Sequence, residues 1–274
     1  MTHSAAMSPD IFSEWLAALE ARHLADLRVP EVTRALRALS SAYVERRHAL
    51  SRGAALDSHG KRAAFALFYA PLHFMTVHHI VTELGAHEPP VPRTIADLGC
   101  GTGAAGAAWA VAAGRLPRIV GLDRHPWAVD EARWTYAQLK LDGHARQADL
   151  AKVRVPGLPR RNALDVIGAK AGAEAAVVAA YTLNELPDAA REPLLRTLFD
   201  AARSGARILI VEPISRAVTP WWEDATERAR TIGGRADEWR ITLDLPPMLA
   251  LFDKSAGLNH RELKARSLAL GLRH

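Results

Sequence analysis

One stretch of this chain concentrates residue types that could do chemistry. In "DLGCGTGAAGAAWA" Asp97 is followed by Gly99, Cys100, Gly101, Gly103 and Gly106. Glycines so spaced allow a tight strand-to-helix turn whose backbone approaches a ligand and points N–H groups at it. Two ligand chemistries compete for it. Gly101-x-Gly103-x-x-Gly106 is the dinucleotide pattern. Asp97-x-Gly99-x-Gly101-x-Gly103 fits S-adenosylmethionine (SAM) better. Asp97 separates the two. A dinucleotide turn would carry the strand on to Cys100 and leave Asp97 buried inside it without a partner, which is costly. A SAM turn lets the strand end near Asp97, whose carboxylate then faces the methionine ammonium.

The next acids follow the same logic. Asp123 ends "RIVGLD" and suits the paired hydroxyls of a ribose, with Arg124 beside it. In "QADL", Asp149 is placed for the adenine amino group and Leu150 for one ring face. A second chemical cluster lies in "AYTLNELPD". It follows the apolar run "AAVVAA" and so occupies the carboxyl edge of a sheet, where open α/β folds bind ligands. Tyr181 can stack and is counted with the cofactor contacts. Asn184 can accept or donate a hydrogen bond, and Glu185 can take a proton, which makes them the catalytic candidates. Alternatively both open the next helix as caps, with Pro187 fixing its first turn.

Other reactive types read as ordinary. Cys100 has no base or cation near it in sequence and is expected as a small loop residue. His73, His78 and His79 lack the i, i+4 spacing of a helical zinc site, so no metal is expected. One of these histidines can still line a substrate cleft. Trp221 and Trp222 either close over a flat ring or pack on the core.

These residues need elements to hold them. Before position 91 the chain reads as helical: "PDIFSEWLAALEARHL" starts at Ser8 and Pro9 and repeats apolar residues at Ile11, Trp15, Leu16 and Leu19. "VTRALRALSSAYVERR" does so at Val32, Leu36, Leu39 and Val44. "GKRAAFALFYAPLHFMTVHHIVTELG" is apolar nearly all round, and Pro71 predicts a kink or two short helices. After the proline-rich "GAHEPPVP", strands and helices alternate, which means βαβ units and a doubly wound, mostly parallel sheet. The expected organisation is a helical N-terminal cap over 1–91 and a Rossmann-like α/β domain over 92–274, the cap lying over the cofactor's methyl end. Beyond Ile214, "VTPWWEDATERART" reads as a helix, "EWRITLDLP" as a strand, and "NHRELKARSLALG" as helix or strand.

Composition bounds the rest. The 274 residues are 49% hydrophobic and 24% charged, enough for a sizeable core and not a disordered chain. No apolar run approaches the roughly 20 residues of a membrane span, and the start lacks a secretory pattern. The single cysteine excludes an internal disulfide, and a cytoplasmic, reduced setting is expected. A net charge of +5 favours a polyanion such as RNA. Its expected contact surface is Lys254, Arg261, Lys264, Arg266 and Arg273.

"IADLGCGTG", "IVGLDRHPWAVDEA" and "QADL" resemble the successive motifs of class I SAM-dependent methyltransferases. The resemblance implies cofactor contacts at Asp97, Gly99, Gly101, Gly103, Asp123 and Asp149. "LSSAYVERR", "AAFALFYAPLHFMTVHHIV", "AYTLNELPD", "LIVEP" and "HRELKARS" further resemble the methyltransferase-like family linked to assembly of the mitochondrial small ribosomal subunit, and its bacterial relatives. That family implies ribosomal RNA as partner, sometimes without methylation. Its members usually carry cluster-binding cysteines after the "VEP" segment, which this chain lacks. The expected activity is methyl transfer from SAM to a nucleophilic acceptor, RNA or a small molecule. The alternative is an RNA-binding assembly factor that keeps the fold without the chemistry.

Overall fold

The computed structural model describes residues 9–45, 56–150 and 174–272. Its centre is one seven-stranded sheet: β1 (Thr94–Leu98), β2 (Arg118–Asp123), β3 (Gly143–Gln147), β4 (Ala175–Ala180), β5 (Arg207–Glu212), β6 (Arg235–Thr242) and β7 (Glu262–Leu270). The order is β3-β2-β1-β4-β5-β7-β6. The first five strands pair in parallel, and β7 runs antiparallel to both β5 and β6. This is the doubly wound, mostly parallel sheet expected from the alternating pattern, in the class I methyltransferase arrangement that the motif resemblance implies. The strand order reverses between β1 and β4, so a crevice opens above their carboxyl ends. Both "TLNEL" and the glycine turn emerge there.

Three helices precede β1: α1 (Pro9–His23), α2 (Val29–Glu45) and α3 (His59–Glu83). α1 starts where the proline placed it; Ser8 lies outside the described residues. Its buried Phe12 and Trp15 pack on Phe74 of α3, with ring centroids 5.1 and 5.4 Å away. The helices after β1 are α4 (Ala104–Ala112), α5 (Pro126–Gln138), α6 (Asp188–Arg203), α7 (Trp222–Arg230) and α8 (Pro247–Ala256). Buried residues of α1, α2 and α3 form one continuous core with those of α4, α5 and the sheet.

Two expectations change. α3 is not divided at Pro71; it runs unbroken through 25 residues, with a wider π turn at Phe65–Tyr69. A proline ring clashes with the carbonyl four residues back. Here that carbonyl belongs to Leu67, inside the π turn, where the ladder has slipped: the Ala70 N–H donates to the Phe65 carbonyl five residues back. The irregularity therefore precedes the proline. The same helix is long and apolar enough to cross a membrane, contrary to the reading of the apolar runs, with a mean hydropathy of 1.3. Two thirds of that stretch (67%) is buried within the protein, which makes it the central core helix. The ambiguous "RELKARSLAL" is a strand, β7, inserted between β5 and β6. Leucines and alanines on both faces fit a strand covered on both sides, and they also fit a helix.

Candidate active site

The glycine turn is built from backbone. β1 ends at Leu98, and Gly99, Gly101 and Gly103 then adopt φ of +65°, +51° and +81°. These left-handed values favour glycine. Gly103 is the N-cap of α4. A Cβ on Gly99 would lie 2.4 Å from Thr182 Cγ2, and one on Gly103 would lie 2.7 Å from Tyr136 Cε1. A Cβ on Gly101 would meet only the Phe65 ring, at 3.7 Å. Gly101 is thus the one of the three whose side-chain direction is not closed by a clash, only by ordinary contact with the Phe65 ring.

Asp97 takes a different role from the one its position implied. It lies within β1, is buried, and its Oδ2 accepts the Gly106 N–H at 2.8 Å. The charge is answered by the start of α4 rather than offered to a ligand ammonium. Burial pushes its carboxyl up to about 7, against the pull of the Gly106 N–H. Gly106 is needed for this contact, since a Cβ there would stand 2.8 Å from Oδ2. β1 ends at Leu98, short of Cys100, which is the strand end that the SAM reading expects.

Asp123 also braces the turn: Oδ2 accepts from Gly101 N at 2.9 Å and Oδ1 from His125 N at 2.8 Å. Each oxygen keeps a second lone pair. Arg124 is exposed, and its carbonyl accepts from the Gln147 side chain. Asp149 is half-buried just past β3, where the Ala148 N–H donates to the Asp123 carbonyl at 2.8 Å. Leu150 is buried in the core beneath it. Cys100 is buried, and burial raises its thiol well above the ordinary value, so it is inert packing in the loop.

The turn after β4 is held by side chains. Tyr181 sits at φ +56°, an uncommon conformation for a tyrosine. Its ring stacks on His73 of α3 at 4.2 Å. Thr182 Oγ1 donates to the Leu98 carbonyl at 3.0 Å, which ties the turn to β1. Glu212, at the end of β5 and fully buried, accepts the N–H groups of Leu183 and Asn184 on Oε1 at 2.9 and 3.1 Å. Arg191 of α6 donates to the Leu186 carbonyl at 2.8 Å and pairs with Asp188. Asn184 and Glu185 do not cap the next helix. They lie on a short 3-10 turn, Leu183–Glu185, and Pro187 holds the N-cap position of α6.

This bracing leaves specific atoms without partners. Asn184 Oδ1 and Glu212 Oε2 are both buried and unpaired. Burial pushes Glu185 up to about 7, opposed by Arg124 and reinforced by Asp123. Glu212 is pushed by burial up to about 8, opposed by the two N–H groups it accepts. A carboxyl near neutrality at the cleft can exchange a proton.

Thr182, Glu212 and Arg191 were not singled out in the sequence, nor were the α3 aromatics Phe65 and Tyr69. The available signals were an acid closing the strand "RILIVE" and aromatic residues four apart at 65, 69 and 73. The other histidines disperse: His78 stacks on Phe74 and His79 meets Trp239 edge-on. Among the described residues no group of three or more His, Cys, Asp or Glu gathers as a metal site. Trp222 is buried under the Arg266 guanidinium, 4.4 Å from its ring centroid, and Trp221 packs beside it. The Arg191 guanidinium lies 5.2 Å from the Trp221 ring centroid. Arg266 is itself buried, because β7 is interior, and leaves the proposed basic surface. Lys254, Arg261 and Lys264 are exposed; Arg273 lies outside the described residues.

Residues 79–157 match the family model of the methyltransferase small domain. No curated protein matches the chain in sequence. Among solved structures, magnesium protoporphyrin IX methyltransferase from Synechocystis with bound SAH is 15% identical, covering 73% of this chain and 83% of that one, TM-score 0.43. The Pyrococcus abyssi tRNA (uracil-54, C5)-methyltransferase is 16% identical, covering 74% and 38%, TM-score 0.41. The plantazolicin methyltransferase is 10% identical, covering 88% and 97%, TM-score 0.46. At these scores the three carry no argument about this chain. The strand order and the left-handed glycine turn give this chain the class I methyltransferase fold, and residues 79–157 within it are similar to the methyltransferase small domain.

Proposed function

We propose that the protein transfers the SAM methyl group to a nucleophilic atom of RNA, with ribosomal RNA the acceptor suggested by the resemblance of its "LSSAYVERR", "AYTLNELPD" and "HRELKARS" segments. The observation that carries the catalytic part is the braced turn after β4, with its strained Tyr181, buried unpaired Asn184 Oδ1 and near-neutral Glu185. Strain and unpaired polar atoms held by a rigid surround fit a site awaiting a ligand. The exposed Lys254, Arg261 and Lys264 support a polyanionic acceptor.

In this reading SAM supplies an electrophilic methyl carbon and a neutral leaving group. Asp123 receives the ribose hydroxyls on its free lone pairs. The backbone of Gly99–Gly103 passes under the methionine portion, and Asp97 keeps that backbone in place through Gly106. Asp149, Leu150 and Arg124 border the adenine, and Tyr181 borders the methyl end. Asn184 orients the acceptor by accepting one of its hydrogen bonds. The acceptor lone pair attacks in line, and Glu185 takes the proton the acceptor sheds. Alignment alone can supply several kcal/mol of barrier reduction.

The test incubates the protein with methyl-labelled SAM and, separately, total RNA and a metabolite extract. Label entering RNA supports the reading. Label in the small-molecule fraction alone replaces RNA with a small acceptor. Tight SAM binding with no transfer to either leaves the non-catalytic assembly role.

A further inference from the structure

We propose that Phe65, Tyr69 and His73 of α3 form an aromatic corner that binds the sulfonium cation of SAM. The proposal rests on SAM being the cofactor.

Three features of the helix carry it. First, these three side chains are partly open while Ala63, Ala64, Ala66, Leu67 and Phe68 around them are buried. Between Ala63 and Phe74 these three are the only side chains of the helix that are not buried. Second, the rings gather around one point: Phe65–Tyr69, Phe65–His73 and Tyr69–His73 centroids are 5.9, 6.1 and 6.3 Å apart. Third, the gathering is placed at the cofactor turn. The Phe65 ring is 3.7 Å from where a Gly101 side chain would begin, and His73 stacks on Tyr181. The π turn at Phe65–Tyr69 supplies the geometry, because its extra residue per turn changes how 65 and 69 face relative to 73.

The chemistry of the corner suits a soft, poorly hydrated cation. Aromatic faces attract a cation within about 6 Å of the ring centroid. His73 is compatible with this because burial pushes its imidazole down to about 4, so it is uncharged at neutral pH and does not repel the ligand. SAM carries this cation and its demethylated product does not. The corner therefore favours substrate over product, and it loses its hold on the sulfur as the methyl group leaves.

The test compares SAM and SAH affinities by calorimetry on the full chain, in wild type and in Phe65→Leu and Tyr69→Leu. Leucine keeps apolar bulk and removes the π face. The expected result is a SAM-to-SAH affinity ratio about fivefold lower in each variant, with SAH affinity nearly unchanged. Tyr69→Phe, which retains the ring, should keep the wild-type ratio. Far-UV circular dichroism confirms folding, and the two leucine variants are independent, so one folded variant suffices. Equal losses for SAM and SAH would overturn the proposal by showing that the rings serve only as apolar packing. A wild type that binds neither ligand would instead overturn the cofactor assignment, and the corner with it.

Discussion

The turn after β1 and the turn after β4 emerge side by side from the same edge of the sheet, but different parts of the chain hold them. The first is a backbone construction: three left-handed glycines, with Asp97 and Asp123 spent on Gly106 and Gly101 N–H groups. The second is held by side chains, Thr182 from within and Glu212 and Arg191 from neighbouring elements. The first pairs each carboxylate with a backbone N–H and leaves Asp123 lone pairs over, whereas the second leaves Asn184 Oδ1 and Glu212 Oε2 buried and unpaired. A loop that binds a constant cofactor can be completed in advance. On the proposed function, the second turn keeps polar capacity in reserve for an acceptor.

The largest effect should come from adding atoms to the backbone-held side. Gly103→Ala forces a side chain at φ +81° and places Cβ 3.1 Å from the Ala132 Cα as well as against Tyr136. Left-handed strain of about 1–2 kcal/mol and overpacking of about 1–3 kcal/mol should together destabilise the fold, as denaturant unfolding would show. An unchanged midpoint would break the contrast. On the other side, removing atoms should matter most. Asn184→Ala and Glu185→Gln should lower turnover per folded molecule by roughly a hundredfold with SAM affinity nearly unchanged. Normal turnover in both would remove them from catalysis.

A smaller effect is expected at Asp123. Asp123→Asn replaces one accepting oxygen by a donor, so SAM should bind about tenfold more weakly in calorimetry. Because that oxygen also holds a backbone N–H, part of the loss will be in the shape of the loop. The smallest effect is that of pH on stability. Burial raises Asp97 and Glu185 to about 7 and Glu212 to about 8, so the folded state favours their protonated forms. Their stabilising contribution is complete below the unfolded carboxylate values and is lost as pH rises through 7 and 8. His73, pushed down to about 4, acts in the opposite sense but only below its unfolded value of 6.5. Tm should therefore fall from about pH 4.5 to about pH 8, less steeply below 6.5 where His73 opposes the carboxyls, and Glu212→Gln should reduce that fall. A flat profile would contradict the burial of these carboxyls.

The same division explains what the sequence made legible. The strand–glycine–helix unit around Gly99 to Gly103 was readable because positive φ restricts the residue type at each position. The alternating core elements were readable from their periods. The brace of the second turn was not, because its partners are remote in the chain: Thr182 reaches Leu98 across 84 positions, and Glu212 reaches Leu183 across 29. The Gly106 partner of Asp97 was not readable, since that N–H meets it only once α4 has folded back over β1. The placement of β7 was closed to a pattern argument, because interior strands and buried helices share a composition.

One contact joins the two turns. The space that Gly99 leaves by having no side chain is filled by Thr182, whose hydroxyl also donates to the Leu98 carbonyl. No compressible gap separates them, so a displacement of the first turn on ligand entry must be transmitted to the second. Such transmission makes the two ligand affinities interdependent, and linkage requires the dependence to be reciprocal: whatever factor SAM confers on acceptor binding, the acceptor confers on SAM. The size of that mutual factor would then be set at a single threonine–glycine contact.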